Sequence, residues 1–379
     1  MASVPVVVVA GLHARARGEV VRALLSGVSH SAAVHHDLRG GRVTRVVLDP
    51  WGVRDRADVP LAHGCVPCTV RDDAPHALLG LAHAASLLVL EIWGALETRP
   101  IVEEIARTPG LRPAAVLTAV DASALPHDIA CDERLGDRPP AALDDDDRYV
   151  AEVLARQIEY ASGLVLVPAD DPGDTALAAR VLDHLGAGLP VTPLPELTAA
   201  TLAAQVDPAA LAAQVHPATV RLPCDRDSGD VVTVVWRRPR PLHPVRFHDV
   251  IQDVIQDVIQ DVAGAAVRSR GRMWLASRPG TLLAWDCVAG LLAIEDRGPW
   301  LAARPAAWAS ASPARRAAAA LDWRPGLGDR TQLIAFTGGG IDRAALFGLL
   351  DRCLLTDEEM LAGATAWESY ADPFAAVLD

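Results

Sequence analysis

Two cysteines three apart, Cys65 and Cys68, follow His63 in the segment His63-Gly64-Cys65-Val66-Pro67-Cys68. Thiolate sulfur and imidazole nitrogen are preferred donors for Zn2+, and a turn rich in Gly and Pro lets a backbone fold round an ion. Cys65, Cys68 and His63 are therefore candidate metal ligands. The same Cys-x-Pro-Cys spacing suits disulfide exchange in a reducing cell. A third account is two buried thiols that only fill a core. Spacing leaves all three open.

A second set of residues could handle phosphate. Val4–Ala10 is a short β-branched apolar run of the kind that forms a buried strand. Gly11-Leu12-His13-Ala14-Arg15-Ala16-Arg17-Gly18 follows, and Glu19–Ser26 has helical spacing. Strand, loop and helix in that order suit a P-loop, which needs glycines, a Lys for the β/γ-phosphates and a Ser/Thr for Mg2+. Gly11 is in place. Arg15 and Arg17 carry positive charge, but Gly18 stands where the metal-binding hydroxyl belongs. Further on, the apolar stretch Ser86–Ile92 ends in Glu91, with Gly94 three residues later. In nucleotide hydrolases an acid so placed sits near Mg2+ and the glycine amide faces the γ-phosphate, which makes Glu91 the candidate catalytic residue.

Those side chains need elements to carry them. Beyond the first strand, strands are expected near Ala33–Asp37, Val43–Leu48, Ser86–Ile92, Ala114–Asp121 and Gly163–Val167, and helices over Ala74–Ala85, Ile101–Arg107 and Tyr149–Tyr160. Strands alternating with helices predict a mostly parallel sheet with helices on both faces over residues 1–195. Residues 196–228 read as a helical linker, in which Leu202–Ala209 recurs nearly verbatim as Leu211–Ala218. Residues 229–379 form a smaller α+β domain, with strands expected at Val231–Trp236, Met273–Ser277, Leu282–Trp285, Leu291–Glu295 and Gln332–Thr337. Three Val-Ile-Gln-Asp units from Val250 to Asp261 keep one helical face apolar. The acidic run Asp144–Asp147 reads as a solvated helix entry, and His30, His35 and His36 as scattered surface histidines. Cys131, Cys224, Cys287 and Cys353 show no mutual spacing; Trp274, Trp285, Trp300, Trp308 and Trp323 are expected to build the second core.

Composition narrows the classes. The chain has 379 residues and a net charge of −13, which argues against a general nucleic-acid binder. Every one of its 35 basic residues is arginine, so no step that needs an ammonium side chain can run here. No apolar run approaches the ~20 residues that cross a bilayer, and no signal-peptide pattern opens the sequence. A soluble cytoplasmic protein without a membrane partner is expected. Its six cysteines do not make a disulfide framework.

Assembled, these segments resemble the CobW family of P-loop GTPases, a group that includes zinc chaperones. Gly64-Cys65-Val66-Pro67-Cys68-Thr69-Val70-Arg71-Asp72-Asp73 resembles the family's Gly-Cys-Ile-Cys-Cys-Thr-Val-Arg-Asp-Asp, and Glu91-Ile92-Trp93-Gly94 its Glu-Thr-Ser-Gly. Val120-Asp121-Ala122 and Gln157-Ile158-Glu159-Tyr160-Ala161 match further family segments. So do Arg240–Phe247, Gly271–Pro279 and Leu354–Met360 of the C-terminal domain. The resemblance implies Zn2+ as cargo, GTP and Mg2+ as cofactors, and a client metalloprotein or CobW-like relative as partner, with a homo-oligomer also open. It places Gly11, Arg15, Arg17, Gly18, Glu91, Gly94 and Asp170 in the nucleotide site. The departures fall on the chemistry: Pro67 replaces a cysteine, and Asn-Lys-x-Asp has become Val167-Pro168-Ala169-Asp170. The expectation is a metal chaperone with a decayed GTP site. A nucleotide-free interaction protein and a Cys65–Cys68 redox switch are the alternatives.

Overall fold

The computed structural model describes residues 3–39, 42–138, 146–198, 205–219, 221–255 and 265–378. The chain divides into two compact units, Met1–Ala212 and Ala213–Asp379.

The first unit holds eight strands: β1 Val4–Ala10, β2 Ser31–Arg39, β3 Arg42–Asp49, β4 Gly52–Val59, β5 Leu87–Glu91, β6 Leu111–Asp121, β7 Gly163–Val167 and β8 Val191–Pro193. Their order is β4-β3-β2-β5-β1-β6-β7-β8. From β2 to β8 the neighbours run parallel, while β3 and β4 add an antiparallel edge. Six helices accompany them: α1 Ala14–Gly27, α2 Val66–Leu81, α3 Thr98–Arg107, α4 Leu125–Asp128, α5 Val150–Glu159 and α6 Pro172–Leu185. Successive residues on a strand point to opposite faces, and Val6, Val7, Val8 and Val9 are all 0% exposed. Both faces of β1 are therefore covered, which is why its sequence is a continuous apolar run. Val7 and Val9 pack with Val20, Val21 and Leu24 of α1 and with Val89 and Leu117 of the flanking strands. The α/β fold with a mostly parallel sheet is the one expected.

Three local features differ from expectation. The exposed edge strand β4 carries charge on both faces (Arg54, Asp55, Arg56, Asp58) and so lacks the alternation that marks a strand. Helix α2 starts at Val66, eight residues before the expected Ala74, because Cys65 caps it and Pro67 is tolerated in a first helical turn. Of the acidic run, Asp144 and Asp145 lie outside the described residues. Asp146 is not solvated: its side chain is 6% exposed and paired with Arg148.

The second unit is an antiparallel sheet of β9 Arg226–Asp227, β10 Val232–Arg238, β11 Ala265–Met273, β12 Thr281–Val288, β13 Leu291–Pro299 and β14 Gln332–Gly339, ordered β13-β12-β11-β14-β10-β9. The strand expected at Met273–Ser277 instead ends at Met273. Its true span carries Arg268, Arg270 and Arg272, all under 10% exposed. Arg268 pairs with Asp286 and Arg272 with Asp322, so the buried charge is matched across the layer rather than absent. Trp274, Trp285 and Trp300 lie in the core, but Trp308 and Trp323 are 36% and 50% exposed and meet edge-on at 5.9 Å. The helix Pro244–Ile255 carries the first Val-Ile-Gln-Asp unit and half of the second; residues 256–264 lie outside the described residues. The helix Pro208–Val215 spans the junction of the tandem duplication, and residues 199–204 are likewise outside.

His216 makes this unit acid-sensitive. Its Nδ1 accepts from the Ala218 amide at 3.1 Å, which requires an unprotonated nitrogen. Burial, reinforced by Arg297, Arg315 and Arg272, pushes its pKa down to about 4. The unfolded chain takes up that proton near pH 6.5, so the native state binds fewer protons between the two values. Stability is expected to fall by roughly 2 kcal/mol as pH drops through this window. Thermal unfolding of wild type and His216→Asn from pH 7 to pH 4 measures it; the variant should lose less.

Candidate functional site

In an open α/β sheet, ligands bind beyond the carboxyl ends of the strands, where the strand order reverses. Here β1 lies between β5 and β6, and its carboxyl end delivers Gly11 beside Glu91 at the end of β5 and Asp121 at the end of β6. The structure brings Gly11, Arg17, Glu91 and Gly94 into direct contact. Asp170 follows β7 and is exposed. Gly18 sits one turn into α1, with open space where a side chain would go.

Arg17 is the centre of this group and is 1% exposed. Its Nε donates to Glu91 Oε1 at 3.1 Å, and its Nη1 donates to the carbonyls of Gly11 at 2.7 Å and Leu12 at 3.0 Å. Only Gly11, Leu12 and His13 separate β1 from α1, because the helix already begins at Ala14. The Arg17 amide is spent within the helix, on His13 O at 3.1 Å. A phosphate cradle works by turning amides inward. Here two carbonyl oxygens face in and a guanidinium answers them. Gly11, at φ +136°, must be glycine, since a Cβ would lie 2.2 Å from Ala119 O. Gly94 must be too, as a Cβ would meet Leu12 O at 2.5 Å. Gln157 Nε2 holds Gly94 O at 2.7 Å, and Arg148 Nη2 holds Ala95 O at 2.6 Å, so this turn is pinned against the loop. The one buried cation of this loop, Arg17, is thus paired with Glu91, and position 18 offers no hydroxyl.

The surrounding electrostatics follow from burial. Desolvation pulls the Arg17 pKa down, and Glu91 opposes it. His35 Nδ1 lies 3.4 Å from Glu91 Oε2, yet the two are misaligned for a hydrogen bond, and burial pushes the imidazole pKa down. Arg15 reaches Asp121 Oδ2 at 2.9 Å. Burial alone would raise the Asp121 carboxyl, but Ser123 and Arg15 more than offset it and hold it below its ordinary value.

The cysteine turn is separate. Cys65 and Cys68 are joined by a disulfide, with Cα atoms 5.3 Å apart, and both residues are half-buried. Cys65 Sγ also accepts from the Cys68 amide at 3.2 Å, capping α2. Thr69 Oγ1 donates to Cys65 O at 2.9 Å and accepts from the Ala62 amide at 2.8 Å, which ties the turn to the helix. The side chain of His63 lies outside the described residues. One turn further along α2, Asp73 accepts from Arg45 Nη1 at 2.7 Å and faces His36 Nε2 at 2.8 Å. Burial would raise the Asp73 carboxyl, but His36 and Arg45 outweigh it and keep it low.

Comparisons with known proteins agree on the kind of chain this is. Residues 46–188 match the family profile described as CobW/HypB/UreG, nucleotide-binding domain, and residues 231–354 match the cobalamin synthesis protein CobW C-terminal domain. A zinc chaperone of Mycobacterium tuberculosis is 30% identical, over 98% of this chain and 92% of its own length. The zinc-regulated GTPase metalloprotein activator 1 of Dictyostelium discoideum is 26% identical, over 84% of this chain and 70% of its own. Among solved structures, the Zn(II)-bound YjiA GTPase of E. coli is similar at 13% identity and a TM-score of 0.40, covering 94% of this chain and all of that one. The chain belongs to the CobW family.

Within this CobW chain, several side chains stand where the sequence reading did not put them. His36 is not a surface residue, at 1% exposed, and His35 is half-buried; each faces a carboxylate from another element. Arg17 points back into its own loop rather than out to a phosphate. Asp128, 2% exposed and contacted by Arg138 at 2.6 Å and His13 at 3.3 Å, was passed over, although His127-Asp128-x-x-Cys131 is a readable ligand spacing. No helix among the described residues is long and apolar enough to cross a membrane.

Two substitutions test the loop. Arg17→Ala leaves Glu91 buried and unpaired and two carbonyls unanswered, so it should cost about 3–5 kcal/mol in urea unfolding. Gly18→Ala, in open space mid-helix, should instead stabilise by about 0.5–1 kcal/mol in the same assay.

Proposed function

We propose that this CobW-family protein is a zinc-handling chaperone that works without GTP turnover. Cys65 and Cys68 hold the ion once their disulfide is reduced, with His63 as third ligand. The observation that carries this reading is the meeting of two half-exposed sulfurs at the N-terminus of α2. The partial positive charge there favours thiolates, the form in which cysteine binds metal. Relatives named for zinc support the choice of cargo. The partner is then a client metalloprotein or a related chain that receives the ion. The plugged crevice supports the second half of the proposal, since Arg17 and Glu91 already neutralise one another where a polyanion would sit.

The bonded sulfurs favour one companion reading, a redox gate. Two electrons and two protons from a dithiol reductant open the disulfide to two thiols, and Zn2+ then displaces both protons. Oxidation with glutathione disulfide reverses the step and expels the ion.

Zinc content of protein purified reduced and without an affinity tag is the first test. Wild type should carry zinc at this turn, Cys65→Ser should lose it, and oxidised wild type should behave like the variant. Equal zinc content in wild type and Cys65→Ser would overturn the assignment. Titration calorimetry with GTP·Mg2+ addresses the crevice: no binding is expected, and micromolar affinity would refute the closed loop.

A further inference from the structure

A second group of donors lies on the first unit, away from the cysteine turn. Asp128 ends α4, and its two carboxylate oxygens have different surroundings. Oδ1 accepts from Arg138 Nη2 at 2.6 Å and lies 3.4 Å from His127 Nδ1. Oδ2 is buried and has no hydrogen bond. The nearest basic atom to it is His13 Nε2, 3.3 Å away and out of line. One ligand atom each from His127, Asp128 and Cys131 lies within 4.8 Å of the others. Cys131 is brought round by the turn after α4, where its Sγ donates to Asp128 O at 3.5 Å. His13, from the β1–α1 loop, neighbours Asp128 Oδ2 but is not among the three donors that lie within 4.8 Å of one another.

A buried carboxylate oxygen without a donor is uncommon and calls for a cation. One nitrogen, one oxygen and one sulfur form a mixed set suited to a borderline divalent ion of the Zn2+ type, with water completing its shell, not to Mg2+ or Ca2+, which take oxygen alone. We propose that His127, Asp128 and Cys131 form a second site for a borderline divalent transition-metal ion. On binding, the Cys131 thiol releases its proton to solvent as the metal–sulfur bond forms. Arg138 Nη2, which donates to both Asp128 Oδ1 at 2.6 Å and Cys131 Sγ at 3.8 Å, gives up the sulfur to the metal and stays on Oδ1, orienting the carboxylate.

This site is independent of the cysteine turn, and the test separates them. In full-length reduced Cys65→Ser/Cys68→Ser protein, Co2+ titration should fill one site, giving a thiolate-to-cobalt charge-transfer band and strong visible bands of a four-coordinate ion. Adding Cys131→Ser should abolish the charge-transfer band. Adding His127→Asn, at an exposed side chain, should weaken binding by at least about tenfold. Unchanged melting without metal confirms that each variant folds. Failure of the double variant to take up Co2+, or a charge-transfer band that survives Cys131→Ser, would overturn the proposal. Neither outcome touches zinc at Cys65 and Cys68.

Discussion

The burial of one guanidinium governs the first unit. A cation removed from water needs an opposite charge and enough acceptors for its hydrogens, and Arg17 finds both within a few ångströms. Arginine suits this because its planar fork sends donors in several fixed directions, toward Glu91 on one side and two carbonyls on the other. Meeting those acceptors requires a short loop that turns its carbonyls inward. That in turn requires glycine at 11, where β6 backbone comes too close for a Cβ, and at 94, where the loop itself does. The same contacts that settle the charge close the crevice. A loop built to satisfy an internal cation turns carbonyls, not amides, toward it.

This explains which parts of the molecule could be read from the sequence. The parallel sheet was legible because strands covered on both faces must be apolar throughout, as Val6 to Val9 are. Strand β11 was not, because its inward residues are arginines matched by Asp286 and Asp322, partners 18 and 50 positions away. Burial of His36 was hidden for the same reason, since Asp73 lies 37 positions on. In the crevice, Gly11, Glu91 and Gly94, which residue type singles out, lie together around Arg17. The direction of Arg17 was not encoded in spacing. It follows from where α1 begins, and helix starts are set by capping and packing that a motif does not reveal.

The cysteine turn and the β1–α1 loop stand on different supports. The first turn of α2 is held by Thr69, which bonds Cys65 O and the Ala62 amide, and by the Cys65 sulfur on the Cys68 amide. None of these bonds involves Arg17, Glu91 or the β1–α1 loop. Closing the crevice therefore costs the cysteine turn nothing. Opening the disulfide leaves the threonine bonds intact, so the sulfurs stay at the same helix end and only their chemistry changes. Under the reading proposed above, reduction would thus free two soft donors at a helix end whose backbone Thr69 already ties in place, and such preorganisation lowers the cost of gathering ligands round an ion.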